Sequence, residues 1–149
     1  MTPLPINQII CGDSLEKLKE LPDNFVQTCI TSPPYYGLRD YGVEGQIGLE
    51  ETPEVFVQKL VEVFREVKRV LKDDGTLWLN LGDSYNGSGG EHKPEHKNDS
   101  GFQGNLMRGV QPKNIPNLKP KDLIGIPWRI AFALQADGWY LRQDIIWHK

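Results

Sequence analysis

FVQTCITSPPYYG, Phe25 to Gly37, is the stretch whose reading decides the fold. Its first seven residues, Phe25 to Thr31, are apolar and β-branched, the composition of a strand. Pro33-Pro34 ends that strand, because proline brings no donor to a ladder. Upstream, Asn7 to Cys11 (NQIIC) is a second short apolar run. It leads through Gly12-Asp13 to Ser14, a good N-cap, and then to Leu15, Leu18 and Leu21 at helical spacing, closed by Pro22. Downstream, after a glycine-containing loop, Pro53 opens a longer helix with Phe56, Leu60, Phe64, Val67 and Leu71 three or four apart. Its basic last turn, Lys68, Arg69 and Lys72, suits the negative end of the macrodipole. Asp73-Asp74-Gly75 is expected to terminate it, with Thr76 to Leu81 as a third strand. Strand and helix alternate, which implies an α/β sheet.

From Gly82 to Lys121 the pattern dissolves into Gly, Ser, Asn, Pro and Lys, too long and polar for an ordinary connection. This predicts a functional or mobile loop over about residues 86–120. It is mildly basic between Glu91 and Lys121, as phosphate contact requires, and equally consistent with a tolerated insertion. Structure is expected to resume at Lys121-Asp122-Leu123 as a helix through Trp128, Ile130, Phe132 and Leu134, stopped by Gly138. Trp139 to Trp147 is strand-like.

With 149 residues the chain is one domain or part of one. Twenty acidic against 17 basic residues leave a net charge of -3, so any nucleic-acid binding rests on a local patch. No apolar run reaches bilayer length and the N-terminus has no secretory pattern, so a cytoplasmic protein with no membrane partner is expected. Cys11 and Cys29 lie in apolar runs and read as reduced, buried thiols, and their spacing suits no zinc site. His92, His96 and His148 have no metal or base partners in the pattern and read as solvated, so no metal is expected. Trp78, Trp128, Trp139 and Trp147 read as core.

Ser32-Pro33-Pro34-Tyr35 stands at the C-terminal end of the strand, where open α/β sheets place their ligands. Two prolines stiffen the chain, and the Pro33 carbonyl and the Ser32 hydroxyl are two adjacent acceptors. Tyr35 offers an aromatic face for a flat heterocycle, as enzymes that take a base out of the stack require. The amine of cytosine or adenine is a poor nucleophile while its lone pair is conjugated into the ring. Two acceptors holding its two hydrogens make it more pyramidal and direct the lone pair at an electrophilic methyl group. A plain Pro-Pro turn with Tyr35 as a core aromatic is the competing reading.

Three strings resemble the DNA amino-methyltransferases in their permuted arrangement, with the catalytic motif N-terminal: Ile10 to Gly42, Leu71 to Tyr85, and Leu118 to Lys149. The resemblance implies a Rossmann-like fold that transfers a methyl group from S-adenosylmethionine to cytosine-N4 or adenine-N6 in double-stranded DNA. It makes Ser32, Pro33, Pro34 and Tyr35 the catalytic tetrapeptide and Asp13 the acidic residue that helps hold the cofactor's adenosine. Serine rather than aspartate at the first position favours cytosine-N4. Tyr36, Arg39, Asp83 and Tyr85 are further candidates for contact with the base or the DNA. A restriction endonuclease of the same system is an expected companion. Neither cysteine follows a proline, which disfavours methylation at ring carbon.

The glycine-rich cofactor loop of the family has no counterpart here. Gly82 to Gly87 and Ser88-Gly89-Gly90 lack the strand and helix that make a backbone cradle. The chain therefore reads as an N-terminal fragment, residues 1–149 being a partial catalytic domain without the C-terminal cofactor-loop strands, unstable and inactive by itself. The alternatives are a non-catalytic module that binds DNA or protein, and one half of a split enzyme completed by a second chain.

Overall fold

The computed structural model describes residues 6–87 and 115–148, and the element order is α1 (Ser14–Lys19), β1 (Val26–Thr31), α2 (Pro53–Val70), β2 (Leu71–Leu79) and α3 (Ile126–Ala136). It is a mixed α/β fold with a two-stranded parallel sheet. Most of the predicted loop, residues 88–114 with His92 and His96, lies outside the described residues. The chain divides into two compact units: Met1–Ser32, Val57–Asn80 and Trp128–Lys149 form the first, Pro33–Phe56 and Leu81–Pro127 the second.

In the first unit β1 and β2 pair in parallel, Thr28 opposite Thr76, Cys29 opposite Leu77, Ile30 opposite Trp78 and Thr31 opposite Leu79. Alternation gives the sheet two unlike faces. Cys29, Thr31, Leu77 and Leu79 are half-buried, while Ile30 and Trp78, opposite each other, are 78% and 52% exposed. The buried positions of α2 follow the predicted spacing, with Phe56, Leu60, Phe64 and Val67 on one stripe that continues to Leu71. In its last turn Arg69 donates to the carbonyls of Leu18 and Leu21, both at 2.9 Å, and pairs with Asp23 and Glu66. One guanidinium thereby ties the chain at and after the end of α1 to α2, adding a donor to a Leu18 carbonyl that already accepts from the Leu21 amide at 3.0 Å. Arg65 pairs with Asp137, and the Lys68 ammonium donates to the Gly138 carbonyl at 2.7 Å, so the C-terminal end of α3 is tied to α2. Gly138 has φ +90, the left-handed stop its sequence position predicts.

Several expectations need correction. The N-cap of α1 is Asp13, whose carboxylate accepts from the Glu16 amide at 3.1 Å, and not Ser14. Asp73-Asp74-Gly75 does not terminate a helix: α2 ends at Val70 and the three residues lie inside β2, where the pairing slips between Val26 and Thr28. Gln27 holds this bulge by donating to Asp74, and a Cβ on Gly75 would stand 2.8 Å from the Lys72 carbonyl oxygen. Helix α3 starts at Ile126, five residues after the predicted start, because Lys121 and Gly125 take positive φ. Neither Asn7–Cys11 nor Trp139–Trp147 is a strand. A strand exists through its ladder, and no described segment pairs with either run. For the same reason their apolar side chains stay open: Cys11 and Trp147 are exposed, the latter at 77%, and Trp128 joins Trp78 at the surface.

In the second unit polar contacts join distant segments of the chain. Buried Asn86 donates its side-chain amide to the Leu118 carbonyl and accepts from the Ile115 amide, both at 2.8 Å. Its backbone pairs with Lys121 and Asp122, beside a bridge between Tyr85 and Leu123. Asn86 thus joins the two described ends of the segment that begins after Gly87 and returns at Ile115.

Candidate active site

Strand β1 ends at Thr31 and hands the chain to the tetrapeptide, whose Ser32 is exposed and whose Pro33, Pro34 and Tyr35 are half-buried. Two glycines bracket the residues that follow Ser32. A Cβ on Gly48, which sits at φ +108, would meet the Tyr35 carbonyl oxygen at 3.0 Å and the Pro34 side chain at 3.3 Å. One on Gly82 would meet the Tyr35 ring at 2.8 and 2.9 Å. The loop closes on itself where the Gly37 amide donates to the Gly48 carbonyl at 2.8 Å, and buried Glu50 accepts from the Gly48 amide at 2.8 Å.

Tyr36 is 4% exposed and packs on Phe56 with ring centroids 5.4 Å apart, its hydroxyl directed at the Glu51 carbonyl at 3.4 Å. Burial raises its hydroxyl pKa, and Glu54 and Glu50 add to the shift. The two adjacent tyrosines therefore differ: Tyr36 is an anchor in the core, and Tyr35 is the ring left half-accessible beside Gly82. Ser84, which the sequence reading did not single out as a site residue, donates its hydroxyl to the Tyr36 carbonyl at 2.8 Å. The signal that could have found it is its place five residues after β2, in the segment that leaves the C-terminal end of that strand as the tetrapeptide leaves β1.

Asp83 is committed to backbone. One carboxylate oxygen accepts from the amides of Ile126 and Ser84, the other from Gly125, all at 2.9 Å. The Gly125 and Ile126 amides stand at the start of α3, where the helix itself leaves them without partners. Tyr85 presents an exposed ring. Arg39 lies in an exposed turn that Gln46 closes by donating to the Arg39 carbonyl at 2.9 Å and accepting from the Tyr41 amide at 2.7 Å. Tyr35, Tyr36 and Asp83 are thus brought together through Gly82 and Ser84, while Arg39 and Tyr85 are surface positions.

In the first unit Asp13 is exposed, with one oxygen used in capping α1. A single carboxylate is not a cradle, and among the described residues no glycine-rich turn links a strand to a helix. Asp13 with the described residues around it does not by itself make a site that fits S-adenosylmethionine. Among the described residues no group of His, Cys, Asp and Glu is arranged to hold a metal ion, and no helix is long and apolar enough to cross a membrane.

Comparison with known proteins gives the arrangement its context. The Type II methyltransferase M.XycI of Xanthomonas campestris pv. cyanopsidis is 57% identical over 93% of this chain and 45% of its own length. M.Cfr9I of Citrobacter freundii is 53% identical over 99% of this chain and 48% of its own, and M.SmaI of Serratia marcescens 52% identical over 95% and 47%. The chain spans about half the length of the curated relatives it matches. The profile of the DNA methylases, N6 and N4 methyltransferases together, matches residues 26–149, from the first residue of β1 through the tetrapeptide to the end. On that match and those identities, the chain belongs to the N6/N4 DNA methylase family.

Proposed function

We propose that this chain is the base-binding part of a site-specific DNA methyltransferase that moves a methyl group from S-adenosylmethionine to the exocyclic amine of a flipped base, cytosine-N4. The carrying observation is the tetrapeptide at the end of β1, with the Tyr35 ring half-buried against Gly82. Tyr35 stacks on the extruded base. The Ser32 hydroxyl and the Pro33 carbonyl accept the two amine hydrogens, which turns the nitrogen lone pair outward. When bound, the donor would supply an electrophilic methyl group, its S–CH3 bond breaking to release the thioether as the N–C bond forms, and the amine proton would pass to water. Serine at position 32 favours cytosine-N4, whereas the family profile covers both bases. In this reading the substrate is double-stranded DNA, a restriction endonuclease is the companion and the place of action is the cytoplasm; the relatives' names as Type II methyltransferases support the methyl-transfer part.

In this reading the sheet is an incomplete Rossmann-like one, and residues 1–149 form a partial catalytic domain in which Asp13 contributes one contact to the cofactor. In this reading Arg39 and Tyr85, both at exposed positions, contact DNA. Isothermal titration of S-adenosylmethionine into the 149-residue chain and into the polypeptide of its complete reading frame tests this. Binding only by a longer polypeptide supports it. Useful affinity in the 149 residues alone contradicts the claim that the cofactor loop lies outside them.

A further inference from the structure

We propose that Gly82 and Ser84 are positioning residues for the tetrapeptide loop: Gly82 sets the place of the Tyr35 ring, and Ser84 fixes the backbone immediately after it. The inference rests on Tyr35 being the residue that stacks on the base. Gly82 is not among the glycines with positive φ, so its backbone conformation is open to any residue. The ring is what excludes a side chain there. A Cβ would stand 2.8 Å from Cε2, 2.9 Å from Cδ2 and 3.6 Å from Cζ of Tyr35. Since carbon atoms pack best at roughly 3.5–4.0 Å, one edge of the ring occupies the volume that any other residue would fill.

Ser84 acts on the next link. Its hydroxyl donates to the Tyr36 carbonyl at 2.8 Å, and the Tyr36 ring is already fixed on Phe56. Between the two, Asp83 binds the amides of Gly125 and Ile126. Three consecutive residues therefore attach the loop to the start of α3, with a different atom in each role: a missing Cβ, a carboxylate and a hydroxyl. Stacking on a planar base depends on where the ring plane lies, and a displacement of about 1 Å at a reacting centre costs roughly 100-fold in rate. Gly82→Ala is therefore expected to lower the turnover of methyl transfer by roughly 10- to 100-fold without changing the KM for S-adenosylmethionine.

The chain carries five tyrosines, so a 3-fluorotyrosine-labelled sample gives a small set of ¹⁹F signals, assigned with Tyr35→Phe and Tyr36→Phe. Gly82→Ala is expected to move the Tyr35 signal and leave that of Tyr36 in place. Ser84→Ala is expected to move the Tyr35 signal, and Ser84→Thr, which keeps the hydroxyl, to restore it. A Tyr35 signal unchanged in Gly82→Ala and Ser84→Ala overturns the proposal. If Gly82→Ala does not fold, the Ser84 pair still decides. Transfer of tritiated methyl to bulk genomic DNA by the polypeptide of the complete reading frame is the second arm. Unchanged turnover in Gly82→Ala overturns the positioning role. No transfer by the wild type contradicts the functional reading instead, while the ¹⁹F signals continue to decide the positioning.

Discussion

Tyr35 and Tyr36 are chemically identical neighbours with opposite surroundings, and a substitution at each should separate chemistry from stability. Tyr36→Ala removes a ring packed in the core and is expected to cost about 3–5 kcal/mol, the range for buried aromatics. Tyr35→Ala is expected to abolish methyl transfer with a much smaller loss of stability. Urea unfolding of both variants, beside the transfer assay, checks the pair. The sequence could place both at the end of a strand, but it holds no periodicity that says which ring turns inward. That was decided by Phe56, twenty residues away, and by the close approach of Gly82. The two cysteines make the same point. Burial raises the Cys29 thiol pKa, whereas Cys11 is exposed on an unpaired run. Iodoacetamide should alkylate Cys11 well before Cys29, as mapped by peptide mass spectrometry. The folded state holds the Cys29 proton more tightly than the unfolded one. Its contribution to stability is therefore complete below the ordinary thiol pKa and is lost as the pH rises through the raised one.

Among the elements, α2 was the most legible, because its 3.6-residue period is carried by large apolar side chains from Phe56 to Leu71. Strand β1 was legible from β-branching and the prolines behind it. The start of β2 was not: Asp73-Asp74-Gly75 has the composition of a turn, and only the contact of Asp74 with Gln27 on the neighbouring strand shows it to be a bulge. The start of α3 was also hidden, since Asp83, which holds it, is more than forty residues away in sequence. Asp83→Ala removes the acceptor of amides at Gly125 and Ile126 and is expected to destabilise the chain by about 1–3 kcal/mol. Tyr85→Ala, at an exposed ring, should change stability little. Thermal unfolding of the two variants tells a structural aspartate from one whose loss affects only DNA.

For the molecule as a whole, the first unit leaves several large apolar side chains exposed. Ile30 and Trp78 share the open face of the sheet, and Trp128, Phe132, Ile146 and Trp147 are exposed as well. The chain spans about half the length of the relatives it matches, and these side chains stand open among the described residues. The 149-residue chain should therefore bind 1-anilinonaphthalene-8-sulfonate strongly, and the double variant Ile30→Lys, Trp78→Lys should bind it less, by fluorescence titration. Ser32-Pro33-Pro34-Tyr35 could be singled out in the sequence because the chemistry proposed for it is local, whereas an open sheet face appears only when strands are paired. Nucleoside mass spectrometry of DNA incubated with S-adenosylmethionine and the polypeptide of the complete reading frame, beside its Ser32→Ala variant, decides which base is methylated. N4-methylcytosine is expected with the wild type and its loss with the variant. N6-methyladenine would contradict the assignment of the base, and the absence of any methylated base would contradict the function.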